Sequence, residues 1–135
     1  MVVTPLYAGL LVLWFIVLSV RVIRFRRQGI SFGDGGNPKV LRVVRGHANF
    51  AEYVPLALLL MAILELSRFS IYLLHALGIM LVVARLLHGY ALSFTEQYQF
   101  GRVGGAALTF AVLLIEAVLC IYQAIHAQWL WCCAG

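Results

Sequence analysis

The chain has 135 residues, of which 64% are hydrophobic and only 11% charged, and its mean hydropathy is +0.98. These values lie outside the range of soluble globular domains and exclude a soluble enzyme. A helix needs about 20 apolar residues to cross the hydrocarbon core, so this length allows about four crossings and no separate soluble domain. We therefore predict an all-α, integral membrane four-helix bundle that forms one domain over residues 1–135.

Four apolar runs predict helices at about residues 5–27, 38–67, 70–94 and 102–129. No basic region precedes the first run and the charges follow it, which indicates a retained span rather than a cleaved signal. The second run is too short to cross alone. It spans only if its helix begins near Lys39, after the helix-breaking residues 33–38, and carries polar residues into the membrane. We expect a tight turn around residues 67–70 and a longer, polar connection over residues 90–102.

The net charge of +5 is concentrated in one block that follows the first apolar run, at Arg21, Arg24, Arg26, Arg27, Lys39, Arg42 and Arg45. This distribution favours positive-inside topology, with a possible anion site, over a nucleic-acid surface. It places loops 1 and 3 in the cytoplasm and both termini on the opposite side. This distribution of charge also means that we predict no nucleic-acid partner. The three cysteines have no metal-ligand spacing, so we predict no metal site.

The second helix carries a polar face formed by Arg42, Arg45, Asn49 and Glu52. At about 100° per residue these four positions fall within an arc of roughly 80°. Charged residues at membrane depth are functional-site candidates, and this set suits a zwitterionic, peptide-like ligand. The structural alternative is that Arg45 and Glu52 tie helices together while Arg42 reaches the membrane interface. His47 lies nearly opposite Arg45, so it must face another helix or another subunit.

Three segments resemble the signature of a known family: GDGG at residues 33–36, RVVRGHANFAEYVP at residues 42–55 and RLLH at residues 85–88. The family is that of the membrane-associated proteins in eicosanoid and glutathione metabolism (MAPEG), and the resemblance is to its bacterial branch especially. The resemblance extends from Val22 to about Thr109. It implies homotrimers of four-helix subunits that bind glutathione in clefts between neighbouring subunits, open to the cytoplasmic side.

The same resemblance implies roles for individual residues. Four residues of the second helix match glutathione contacts made by one subunit: Arg45, Asn49, Glu52 and Tyr53. His47 and Arg26 match contacts from the adjacent subunit, Arg85 and His88 match a glutathione-binding RxxH pattern, and Tyr90 is similar to a glutathione-contacting tyrosine. Arg102 matches an arginine that activates the glutathione sulfur. Structural alternatives remain: Arg85 could instead pair with Glu52 or Glu116, and Arg102 could merely flank a span.

The resemblance thus implies a glutathione transferase, with possible peroxidase activity, that conjugates glutathione to lipophilic electrophiles in a bacterial inner membrane. One alternative is a non-catalytic membrane scaffold or regulator with the same fold. Another is a b-type haem carrier that uses His75 and His88, with His47 and His126 near matching depths. The directions of His75 and His88 on their helix differ by roughly 140°, which disfavours this alternative.

Overall fold

The computed structural model describes residues 1–27, 29–30, 33–96 and 99–133, with side chains up to residue 129. It contains four helices: α1 (Val3–Arg26), α2 (Pro38–Leu66), α3 (Ile71–Phe94) and α4 (Gln99–Cys133). Each is long and apolar enough to cross a membrane. The predicted all-helical architecture with four spans is therefore confirmed, whereas the homotrimer stays a prediction.

The start of α2 is determined by the residues before it. The glycines at 33, 35 and 36 all have positive φ angles, so the chain turns sharply there. The Asn37 side chain then accepts a hydrogen bond from the backbone N–H of Lys39 at 2.9 Å, and Pro38 occupies the first turn. Both are favourable N-terminal signals. The prediction that the helix begins near Lys39 is confirmed, and Arg42, Arg45, Asn49 and Glu52 all lie within it.

The two other connections differ in how well they follow the sequence pattern. Residues 67–70 form the expected tight turn between α2 and α3, with Arg68 at a φ of 59°. The predicted end of α3 at residue 94 agrees with Phe94, but α4 begins at Gln99 rather than Arg102, so the expectation of a longer connection from Tyr90 to Arg102 is wrong. The Thr95 hydroxyl donates to the Ala91 carbonyl at 2.8 Å and so satisfies one of the last free acceptors of α3.

A carboxylate of α2 holds the beginning of α1. Glu65 accepts hydrogen bonds from the backbone N–H groups of Val2, Val3 and Thr4, the last two at 2.9 Å. The first N–H groups of a helix have no partner within it, and the positive end of the helix dipole attracts a carboxylate. This contact ties the first helix to the far end of the second.

Glycine at 105 lets α4 lie directly on α3. A Cβ atom at that position would lie 2.6 Å from the Ala84 carbonyl oxygen and 2.8 Å from the Cβ atom of His88. Only a residue without a side chain permits this approach. The close packing brings the first turn of α4, with Arg102, beside the last two turns of α3.

Candidate functional site

A cavity of about 530 Å³ lies between α2, α3 and α4, at the membrane end that carries loops 1 and 3. Five of the residues that the sequence singled out line it together: Arg45, Asn49, Glu52, His88 and Arg102. The rest of the lining is apolar and comes mostly from α4: Ala48, Leu92, Val103, Ala106, Ala107 and Phe110. One wall is therefore polar and the facing wall is apolar.

The face of α2 presents charges to this cavity that are not neutralised within the described part of the chain. Arg45 and Glu52 are both exposed, and the ion pairs found there join Glu96 to Lys39 and to Arg42 instead. The alternative that Arg45 and Glu52 tie helices together thus finds no support in the subunit. Arg42 instead points toward the loop side.

Arg85 lies one layer behind the cavity. It is 1% exposed, and its Nη2 atom donates to the Asn49 Oδ1 atom at 2.8 Å. The guanidinium also lies 3.5 Å from the Thr109 hydroxyl and 5.6 Å from the centre of the Phe50 ring. Because the Asn49 oxygen is engaged by Arg85, the amide NH₂ group is the part of that side chain left to donate to a ligand.

Neither proposed ion pair of Arg85 is present. Across the residues that the structure describes, neither Glu52 nor Glu116 lies within ion-pair distance of its guanidinium. Glu116, on α4, is itself fully buried, and its carboxyl oxygens have no hydrogen-bond partner among the described residues. The resemblance assigned Arg85 to glutathione, but within the subunit it positions Asn49 rather than lining the cavity.

His88 and Arg102 come from different helices and meet at the cavity. The His88 Nδ1 atom lies 2.8 Å from the backbone carbonyl oxygen of Arg102. Since a carbonyl only accepts, this nitrogen carries a proton, and a neutral ring then offers Nε2 as an acceptor. The Nε2 atom is buried and has no partner among the described groups.

Arg102 occupies the first turn of α4 with an exposed side chain that lines the cavity. The N-terminus of a helix carries partial positive charge and free N–H groups, so the guanidinium and the helix end add to one another. Such surroundings stabilise a thiolate.

Two predicted contacts lie outside the cavity. Tyr53 packs edge-to-face on Phe110, with ring centres 5.3 Å apart, and so supports the apolar wall from behind. Tyr90 lines a different, apolar cavity of about 570 Å³ with Trp14, Leu86, Leu87 and Thr95. The α3 residue that lines the cavity one turn beyond His88 is Leu92, which sequence reasoning missed.

The apolar wall was also missed, although a signal for it exists. Ala106 and Phe110 follow Arg102 by four and eight residues, so they share its face of α4. Apolar residues are present all round a membrane helix, and this composition hides the pattern.

Arg26 and His47 do not reach the cavity within one subunit. Arg26 is the exposed last residue of α1. The His47 Nε2 atom lies 3.1 Å from the Ser19 hydroxyl, and its ring stacks on Phe15 with centres 4.6 Å apart. Of the two alternatives for His47, packing against another helix is the one seen, and its contact to a neighbouring subunit stays a prediction.

His75 and His88 face different helices. His75 Nδ1 lies 2.9 Å from the Tyr7 hydroxyl on α1, whereas His88 faces α4. Among the described residues, no group of three or more His, Cys, Asp or Glu side chains is placed to hold a metal ion. The geometry gives the haem alternative no support.

Comparison with known proteins agrees with this architecture. The MAPEG family matches residues 4–122. The chain is 34% identical over 114 residues to the inner membrane protein YecN of Escherichia coli strain K12, covering 84% of this chain and 86% of that protein, and YecN of strain CFT073 matches equally well. No solved structure matches the chain. The match to nearly all of the four-helix region shows that the chain belongs to the MAPEG family.

Proposed function

We propose that the chain is a membrane-bound glutathione transferase that holds glutathione in the cavity between α2, α3 and α4. The observation that carries the proposal is that exposed, unneutralised Arg45 and Glu52 of α2 and Arg102 at the start of α4 line one cavity together with apolar residues of α4. Glutathione is zwitterionic, with two carboxylates, one ammonium group and a thiol. Its reaction partner would be a lipophilic small molecule, so the two reactants need walls of opposite character.

Three polar groups of α2 that line the cavity have counterparts in the tripeptide. The Arg45 guanidinium can bind a carboxylate through two parallel hydrogen bonds, and Glu52 can accept from the ammonium group. Asn49, held by Arg85, can donate its amide to a backbone carbonyl of the ligand. The volume of about 530 Å³ falls in the range of small-molecule sites, roughly 300–1,000 Å³.

The chemistry would begin at Arg102. Its guanidinium and the N-terminus of α4 favour the thiolate, which is the nucleophilic form of the sulfur. The thiolate would attack an electrophilic carbon, so that a sulfur–carbon bond forms and the leaving group departs with its bonding pair, while the thiol proton passes to water. Val103, Ala106 and Phe110 would contact the lipophilic reactant as it arrives from the bilayer.

A homotrimer would complete the site. Arg26 and His47 lie away from the cavity of their own subunit, which is consistent with contacts to glutathione bound by a neighbour. YecN is an inner membrane protein by name, and we place this chain in the inner membrane of a bacterium as well. The positive-inside bias then puts the mouth of the cavity on the cytoplasmic side, where glutathione is available.

Calorimetry with glutathione on the detergent-solubilised protein tests the proposal, combined with ultraviolet absorbance of the bound thiolate. Wild type should bind and show the thiolate signal, and Arg102→Ala should lose the signal. Arg24→Ala is the matched control, because Arg24 is an exposed arginine of α1 that does not line the cavity. If the wild type binds no glutathione, the proposal fails. Binding without a thiolate signal would favour the non-catalytic scaffold or regulator.

A further inference from the structure

A second, smaller cavity of about 240 Å³ lies at the same membrane end, between α1, α2 and α3. Its polar lining comes mainly from Arg21, Lys39, Arg42, Ser93 and Glu96. Leu92 lines both this cavity and the proposed glutathione cavity, so it separates the two. None of the residues with an assigned role in glutathione binding lines the smaller cavity.

Arg21 lines this cavity and contacts two residues at the end of α3. Its Nη2 atom donates to the Ser93 carbonyl, and the guanidinium carbon lies 4.0 Å from the centre of the Phe94 ring. Arg21 precedes the end of α1 by five residues, which places it roughly 7 Å inside the helix end.

Two polar groups of the cavity are buried without a partner among the described residues: the Nε atom of Arg21 and the hydroxyl of Ser93. Buried donors are nearly always hydrogen-bonded, so each such group calls for an explanation. Both groups can donate, and both lie just beneath the surface of the cavity, so a ligand that accepts several hydrogen bonds would satisfy them once the lining side chains move aside.

The charge of the cavity points to an anion. Three cations face one carboxylate, because Glu96 lies 2.9 Å from Lys39 and 3.7 Å from Arg42. The side chains of Lys39 and Glu96 are 64% and 63% exposed, so their ion pair is weak and can open to admit a ligand. When the ion pair between Lys39 and Glu96 opens, the positive charges of Arg21, Lys39 and Arg42 surround the cavity.

We propose that this cavity binds a phosphate group, supplied by the head group of an anionic phospholipid or by free phosphate. A tetrahedral phosphate offers several acceptor oxygens, which match the Nε donor of Arg21, the Ser93 hydroxyl and the charges of Lys39 and Arg42. Basic cavities between membrane helices on the cytoplasmic side are typical sites for anionic head groups. Phe25 and Phe94 supply apolar walls beside the phosphate site.

The test compares binding of two probes to the detergent-solubilised full chain: phosphatidylglycerol by native mass spectrometry and inorganic phosphate by calorimetry. The variants are Arg21→Gln, Lys39→Gln and Ser93→Ala. Arg24→Gln is the control, because it removes the same charge from the exposed side of α1. Loss of one charge-assisted hydrogen bond should weaken binding about tenfold in the Arg21 and Ser93 variants. Ser93→Ala is small and uncharged, so it keeps the test valid if Arg21→Gln does not fold.

The outcomes separate the two sources of phosphate from a general charge effect. Loss of phosphatidylglycerol binding in the cavity variants, with Arg24→Gln unchanged, supports a lipid head group. The same pattern with inorganic phosphate alone supports a free ligand. Equal loss in Arg24→Gln, or no binding of either probe, overturns the proposal. Displacement of either probe by glutathione would also overturn it, since the cavity would then belong to the neighbouring site.

Discussion

Replacing Gly105 by alanine should separate α4 from α3 and weaken both the fold and the cavity between them. The new Cβ atom would lie 2.6 Å from the Ala84 carbonyl oxygen, whereas ordinary contacts begin at 3.4 Å. The helices must therefore move apart by about 0.8 Å. The nearest atoms belong to backbone and to a Cβ atom, so no flexible side chain can move aside instead.

The expected cost follows from two opposing terms. Forcing an extra carbon into a well-packed contact costs about 1–3 kcal/mol. Exchanging glycine for alanine inside a helix gains about 1 kcal/mol of intrinsic propensity. Gly104→Ala is a matched control, because nothing lies within 4 Å of a Cβ atom at that position and only the favourable term remains. The free energies of unfolding of the two variants should therefore differ by about 1–3 kcal/mol.

Unfolding in detergent, followed by tryptophan fluorescence, measures this difference. Glutathione titrations on the same samples should show weaker binding by Gly105→Ala, because the hydrogen bond between His88 and the Arg102 carbonyl, 2.8 Å long, spans the gap that opens. Equal stability of the two variants would refute the reasoning. It would mean that α3 and α4 already lie farther apart in the membrane than the geometry gives.

Three further predictions concern interactions outside that contact. Asn49→Ala removes the acceptor of the buried Arg85 guanidinium and should cost about 1.5–3 kcal/mol of unfolding free energy in denaturant titrations, whereas Asn49→Asp keeps an acceptor and should restore much of it. Glu65→Gln removes the carboxylate at the start of α1 and should cost about 0.5–2 kcal/mol; an unchanged unfolding midpoint would contradict the role of Glu65 as a cap. The hydrogen bond and charge of Lys39 lower the pKa of Glu96 below its ordinary 4.5, so the stabilisation from this pair is present above that pH and is lost as pH falls through the lowered pKa. Lys39→Gln should raise the Glu96 pKa toward 4.5 in a carbon NMR titration, and an unchanged value would show that the pair does not persist in solution.

The spans were predictable because each signal lies in consecutive residues. The glycines at 33, 35 and 36 and the cap at Asn37 mark the start of α2 regardless of tertiary structure. The connection between α3 and α4 was not predictable in the same way. Ser93 and Gln99 are polar because they lie near the membrane surface, but they remain helical. Polarity at a membrane boundary therefore does not distinguish a loop from the end of a helix.

The candidate site shows the same difference between residues that the local sequence brings together and residues that only the structure brings together. Arg45, Asn49 and Glu52 share one face of one helix, so helical periodicity alone brings them together. Tyr90 departs from that periodicity and lines a different cavity of the subunit. From His88, two residues correspond to about 200° and point to the opposite side, whereas four residues return to within about 40°, where Leu92 lies.

Contacts between helices required the structure. Nothing in the local sequence places the Arg85 guanidinium on Asn49 or the Arg102 carbonyl on His88, because each pair joins different helices at a depth set by side-chain packing. The close approach at Gly105 fixes that depth for α3 and α4.

The division of the polar residues by burial explains why the two proposed binding sites lie at one end of the bundle. Deep inside, an unpaired charge is costly, and the two terminal nitrogens of the Arg85 guanidinium donate to Thr109 and Asn49. Arg45 and Arg102 are exposed near the end of the bundle that carries loops 1 and 3, where water can hydrate a guanidinium that has no partner. Keeping such a charge free costs little there, and a ligand can use it without breaking an existing contact. The buried residues therefore set the geometry, and the exposed residues are available for binding.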